Sequence, residues 1–481
     1  MKTRIYASLM GWMALCITNV SFAQDESASP TVAQVEQALQ KAVEFFSKSV
    51  STEGAYVYRW SSDLSRGEGE SVVGKSTAWL EPPGTPAVGL AYLQAYQLTR
   101  RFDLLEAALA TADALIRGQL QSGGWDDRIE FAANDRALYA YRVDGGEVGK
   151  RRNTTTFDDN KTQSAIRFLQ QLDRELNFEN ERLHSAVLYA LKGVLDAQYS
   201  NGAWPQRYSA PHESSELQNV QANFPAQWSR EFPEVKYSDF YTLNDGTISD
   251  LIETMLEAHA IYNEEDYLQA ARRGGEFLIA AQLPAPQPGW AQQYDFDMHP
   301  CWARKFEPPA ITGGESQRVL RTLILVYRYT LDDKYLTPIA PALDYYESCP
   351  QVSGKVARFY ELNTNRPLFF TKDYQLTYSH DDMPTHYSFL VDSKFEQIRS
   401  EFEKAIKKPL PVELPVIAKA PKKSLRLASA AAAAVRTLDV RGAWVTQGKL
   451  KGDEVAQPII ESRVFASNLR ILSEYLASQM R

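Results

Sequence analysis

The sequence predicts an all-α fold, an α/α toroid of helical hairpins with short irregular strands and long loops gathered at one face. Three observations predict it: a recurring amphipathic helical pattern, a Gly-Trp loop after each copy, and the spacing of those loops. Leu105, Leu109, Ala112 and Ile116 fall at i, i+4, i+7 and i+11, on one face of a helix. Val187, Leu191, Val194 and Gln198 repeat that spacing, as do Tyr267, Ala271, Gly274 and Leu278. Each run leads into a similar loop: Gln119 to Gly123-Gly124-Trp125, Gln198 to Gly202-Ala203-Trp204, and Gln282 to Gly289-Trp290, with the Trp residues 79 and 86 positions apart. A repeat of that length holds two helices, so each hairpin can bury its inner helix against its neighbours and bring the loops to a common end. An irregular helical domain in which the Trp residues only pack is the alternative reading.

The rest of the chain is organised around this domain. Lys2 and Arg4 precede an apolar stretch from Leu9 to Val20, and Ser21 and Ala23 flank Phe22. Residues 1–23 therefore read as a secretory signal cleaved near Ala23, which implies a secreted protein, periplasmic or extracellular. Residues 24–80 form a helical lead-in and 81–406 the toroid. Residues 407–424, with Pro409, Pro411, Pro415 and Pro421, read as a linker or extended crossing strand, and 425–481 as a helical tail that packs on the toroid. No segment is long and apolar enough to span a bilayer. Of the three cysteines, Cys16 lies in the signal, and Cys301 and Cys349 could pair or stay free.

Without Lys2 and Arg4, 50 basic residues face 60 acidic ones, a net charge near −10 that argues against a nucleic-acid partner. A polyanionic ligand stays possible, because a bound cation or a few basic side chains can reverse the sign of one cleft. No phosphate loop, dinucleotide fingerprint, zinc site or nucleophile elbow is present, and the six His are scattered.

What the loops offer is carboxylates and guanidinium groups beside aromatics. Thr156-Phe157-Asp158-Asp159-Asn160 precedes a helix expected near Thr162, where an Asp could simply be an N-cap. Thr242-Leu243-Asn244-Asp245-Gly246 repeats the arrangement before the next inner helix, and two acidic helix starts on one face would make a hard-oxygen site of the kind calcium prefers. Ala303-Arg304-Lys305-Phe306-Glu307 could meet a sugar carboxylate or form a surface ion pair. Arg358 to Arg366 and Phe369-Phe370-Thr371-Lys372 complete the set.

In order, Thr156–Asn160, Asn201-Gly-Ala-Trp-Pro-Gln-Arg-Tyr208, Thr242–Gly246, Gly289-Trp-Ala-Gln-Gln-Tyr294, Ala303–Glu307 and Arg358-Phe-Tyr-Glu-Leu-Asn-Thr-Asn-Arg366 resemble the catalytic domain of family 10 polysaccharide lyases, the pectate lyases, from about residue 80 to about residue 390. The resemblance implies a toroid of three hairpins whose groove binds polygalacturonate. It also implies a calcium ion (Ca2+) held by Asp158 and Asp245, Arg304 as the base of an anti β-elimination, and a monomer. Asp159, Asn244, Lys305, Glu307, Arg358, Arg366 and Lys372 would contact the substrate. Calcium and Lys305 near Arg304 would disfavour its charged form, so activity should rise toward alkaline pH.

Three departures from the family pattern bear on this. Asp159 adds a negative charge beside the proposed metal site, tightening it or acting as a cap. Lys372 stands where the family carries Arg and cannot make a bidentate fork. The segment 210–236, with Trp228, would edge the groove and alter chain-length preference. Two other functions fit the same residues: a toroid hydrolase acting on uronides, with Asp158 and Asp245 as its carboxylate pair, and a non-catalytic pectate-binding protein, for which Lys372 is the best argument.

Overall fold

A computed structural model describes residues 29–211, 220–412, 414 and 417–480. The expected signal, 1–23, lies outside them. Among the described residues the α-helices are α1 (Val32–Phe45), α2 (Thr85–Thr99), α3 (Phe102–Arg117), α4 (Ala133–Arg136), α5 (Lys161–Glu175), α6 (Glu181–Asp196), α7 (Thr247–Tyr262), α8 (Glu265–Ala280), α9 (Glu315–Thr330), α10 (Ile339–Ser348), α11 (Phe395–Lys407), α12 (Leu425–Thr437) and α13 (Ser462–Gln479).

The toroid expected from the repeats is present. Inner helices pack in the order α13, α2, α5, α7, α9 and α11, while α3, α6 and α8 return on the outside. Hairpins α2/α3, α5/α6 and α7/α8 are the three legible in the sequence. A fourth, α9/α10, joins them, and α1, α12 and α13 extend the ring. Helix α10 escapes a periodicity search because it has ten residues, one of them Pro341, and no Gly-Trp loop follows it.

The Gly-Trp loops are structural staples. Trp125, Trp204 and Trp290 are fully buried, and each indole N–H donates to a carbonyl near the end of the preceding outer helix: Leu115 at 2.8 Å, Val194 at 2.9 Å and Leu278 at 2.7 Å. Trp444 does the same for α12, donating to Ala434 at 2.8 Å. The Gln that opens each loop ties one repeat to the next. Gln119 Nε2 donates to Gly123 and to Ala186 of α6, both at 2.9 Å. Gln198 Nε2 donates to Gly202 (3.0 Å) and to Ala270 of α8 (2.9 Å), and Gln282 to Pro288 (3.1 Å) and Pro338 (2.8 Å). Gly202 sits at φ +90°, and a Cβ there would lie 2.1 Å from the Arg273 carbonyl oxygen, so the tight approach requires glycine.

Short antiparallel ladders link the segment before each inner helix to the strand after the next Trp loop. Thr77–Trp79 pairs with Arg128–Glu130, Thr155–Thr156 with Arg207–Tyr208, and Tyr241–Thr242 with Gln293–Tyr294. Ala310–Thr312 begins a four-stranded sheet with Phe359–Glu361, Pro367–Phe370 and Leu376–Thr377. An aromatic core of Trp302, Phe306, Phe359, Phe369, Phe370 and Phe389 lies on that sheet. The ladders gather the inner-helix starts on one face. At the other end, Val412 N donates to the Arg328 carbonyl (3.0 Å) and Ala418 N to Gln97 Oε1 (2.8 Å), so the Pro-rich segment crosses near the ends of α9 and α2.

Gln119→Ala would strand two carbonyls, one in each of two repeats. We expect a loss of roughly 2–4 kcal/mol of stability, seen as a lower urea midpoint, with little change in circular dichroism of the folded protein.

Candidate functional site

The starts of α5 and α7 share one backbone device. Asp159 and Asp245 both adopt the left-handed region, at φ 49° and 48°, each one residue before the helix-preceding residue, Asn160 (φ 58°) or Gly246 (φ 77°). Asp and Asn tolerate this region better than other side chains. A Cβ on Gly246 would lie 2.6 Å from the Arg318 Nε, and with φ at +77° the position favours glycine. Neither helix start has a side-chain cap. The N-cap reading of these aspartates is thereby overturned: the turns aim them away from the helix and toward each other.

The carboxylates of Asp158, Asp159 and Asp245 converge, each offering an oxygen within 4.8 Å of the others. Asp158 Oδ1 is buried with no partner among the described residues. Burial first, and then Asp159, Asp158 and Glu315, push the Asp245 carboxyl up to about 7, with Arg304 opposing. Burial and Asp159 likewise raise Asp158. The site is a pocket of concentrated negative charge, of the all-oxygen kind that suits a hard divalent cation. Beside it runs a cleft of about 910 Å³ lined by Asp159, Asp245, Glu315, Arg318 and Arg358 among others.

Arg304 reaches this cluster, its Nη2 lying 3.8 Å from Asp245 Oδ2. A bidentate pair fixes it: Nε to Glu307 Oε2 at 2.8 Å and Nη2 to Oε1 at 2.5 Å. Glu307 is itself held by the Tyr387 hydroxyl (3.0 Å) and Gln292 Nε2 (3.2 Å). Burial works against the charge on Arg304, but Glu307 outweighs it and holds the guanidinium above its usual pKa. This corrects the expectation that Lys305 would weaken the charged form: the Lys305 ammonium lies over the Tyr374 ring, 3.6 Å from its centroid.

Two predicted substrate contacts are corrected. Glu307 is 1% exposed and engaged with Arg304, so it positions that side chain instead of meeting a ligand. Asn244 is 2% exposed, and its Oδ1 accepts from Gln292. Arg358 does line the cleft, paired with Glu315 at 2.7 Å and lying over Tyr387. Arg366 and Lys372 do not line it. Arg366 stacks on Tyr378 with its guanidinium carbon 3.4 Å from the ring centroid, and Lys372 pairs with Asp382 at 2.9 Å, both on the surface. Arg230 of the 210–236 segment flanks the other side of Tyr378 and pairs with Glu361. Neighbouring Ser229 accepts from the Trp302 indole at 2.8 Å, which lays this segment against the Arg304 loop. Cys301 and Cys349 are both free thiols.

Sequence reasoning missed Gln292, Tyr387 and Lys161. Lys161 follows Asp159 by two positions, its ammonium 3.2 Å from that carboxylate, and spacing was the one available signal. Gln292 lies inside the Gly289–Tyr294 motif, which was the signal available for it, whereas Tyr387 is distant in the chain and carried none.

Residues 119–330 match the family model described as Pectic acid lyase. That segment holds Asp158, Asp159, Asp245, Arg304 and Glu307. Among solved structures, the family 10 polysaccharide lyase from Cellvibrio cellulosa is 21% identical, over 67% of this chain and 94% of that one, with a TM-score of 0.46. A mutant of that lyase in complex with trigalacturonic acid is 20% identical, over 67% and 98%, with a TM-score of 0.45. A GH76 α-mannanase from Bacteroides thetaiotaomicron is 11% identical, over 95% and 98%, at 0.42. No curated protein sequence matches the chain.

An unfolded Asp titrates near 3.9, so whatever stability Asp245 contributes is full below that pH and is lost as pH rises through about 7. Asp245→Asn should therefore raise the melting temperature of the chelator-treated protein at pH 8 and leave it unchanged or lower at pH 4, measured by differential scanning fluorimetry.

Proposed function

We propose that the protein is a calcium-dependent pectate lyase that cleaves α-1,4-polygalacturonate by anti β-elimination, leaving 4,5-unsaturated oligogalacturonides, and that residues 1–23 direct its export as a monomer. The observation that carries this reading is the convergence of three acidic side chains with a guanidinium 3.8 Å from one of them, two of those acids, Asp159 and Asp245, lining an open cleft. Among the described residues no helix is long and apolar enough to cross a membrane, which agrees with export.

The chemistry to be catalysed is removal of the C5 hydrogen of a galacturonate unit, α to a carboxylate whose charge opposes carbanion formation. The donor set fits calcium, being all oxygen, with Asp158 Oδ1 free to bind. Bound there, calcium would neutralise the sugar carboxylate and stabilise the enolate-like charge. Asp158, Asp159 and Asp245 are the residues that would hold it. Arg358 at the cleft edge is placed to bind a further carboxylate. Arg304 would take the C5 proton as the O4 leaving group departs, the guanidinium plane being set by Glu307. Because Glu307 also favours the protonated guanidinium, the basic form grows only at alkaline pH.

The hydrolase alternative would use two of these carboxylates as acid and nucleophile or base and would need no calcium, so the response to a chelator separates it from the lyase.

Purified protein incubated with polygalacturonate at alkaline pH should generate the ultraviolet absorbance of unsaturated ends, abolished by a chelator and restored by calcium. Arg304→Ala should lower that rate by about 10²–10⁴-fold without loss of the folded state. Absence of absorbance from the wild-type protein under all calcium and pH conditions would overturn the reading. In Glu307→Gln, loss of the neighbouring charge should move the rising limb of the pH–rate profile to lower pH by about one to three pH units, while the maximal rate falls because the bidentate clamp is weakened.

A further inference from the structure

Lys161 is the first residue of α5 and is 2% exposed. Its ammonium lies 3.2 Å from Asp159 Oδ2, 3.4 Å from Glu81 Oε2 and 3.5 Å from Asp127 Oδ1. These carboxylates come from three separate segments: the turn before α2, the loop after Trp125, and the turn before α5. A lysine buried this deeply persists when acidic groups surround it. Asp159 thus belongs to two sets at once. It faces Lys161 on one side and completes the cluster with Asp158 and Asp245 on the other.

We propose that the Lys161 ammonium is a tethered cation filling a second cation position beside the three-aspartate cluster. It offsets the charge of Asp159, so that Asp158 and Asp245 dominate the binding of the mobile ion. The carboxylate at 159 and the lysine two residues later then act as one unit whose charges cancel, leaving the net charge that calcium meets to Asp158 and Asp245. Lys161 is a positioning residue in this scheme, since it acts through Asp159. The inference rests on the calcium-binding reading given above.

It has a signature that a purely structural lysine lacks. Removing Asp159 alone leaves the ammonium, still held by Glu81 and Asp127, close to the ion without the carboxylate that stood between them, whereas removing both members of the pair leaves the local net charge unchanged. Calcium chloride titrated calorimetrically into the full-length protein should bind Asp159→Asn at least roughly tenfold more weakly than wild type. The double variant Asp159→Asn with Lys161→Met should recover to within about threefold of wild type. Lys161→Met alone should bind calcium more tightly than wild type, or take up an additional ion among Glu81, Asp127 and Asp159. If that single variant fails to fold, the comparison of Asp159→Asn with the double variant still decides the matter. A double variant that stays as weak as Asp159→Asn overturns the inference, because Asp159 would then act only as a direct ligand. A wild-type protein that shows no calcium heat overturns the calcium reading itself, and this inference falls with it.

Discussion

The ring depends on one recurring contact: a glutamine side chain that donates to two carbonyls, one in its own loop and one at the next outer helix or its approach. Gln119, Gln198 and Gln282 each do this, beside a Trp whose indole is pinned to the helix it follows. The amide links each repeat to the next at a set distance, because its two acceptors are spaced by the backbone. The ladders between successive loops then bring the starts of α2, α5, α7 and α9 to a common face.

The site is the electrostatic cost of that geometry. Helix starts attract anions, and here two neighbouring starts each present aspartates in left-handed turns. Their side chains cannot cap their own helices, so their charge is directed into the cleft. The basic groups nearby are each matched to a buried or half-buried acid: Arg304 to Glu307, Arg358 to Glu315, Arg318 to Asp250. None neutralises the cluster outright, which leaves an imbalance that a mobile cation can relieve.

Much of this was legible in the sequence because it is repeated. Gln, Gly and Trp in the same order announce three hairpins, and the two acidic turns announce the site. What was not legible came from residues whose meaning depends on distant partners. Glu307 reads as a surface acid until Tyr387 and Gln292 close over it. Lys305 reads as a carboxylate partner until Tyr374 takes its ammonium. Asp159 reads as a cap because sequence shows neither its positive φ nor the lysine pressed against it. The fourth hairpin carries no Gly-Trp loop, so the repeat falls silent there although the architecture continues.

Helices far apart in the sequence meet at one side of the ring. Helix α13 packs against both α1 and α2, with Phe465 stacked on Phe46 at 3.7 Å between ring centroids and edge-on to Tyr92 at 5.4 Å. This aromatic seam joins α13 to helices that lie before every hairpin between them, so it forms only after those hairpins have been made. A variant truncated before α13 would leave Phe46 and Tyr92 without that cover.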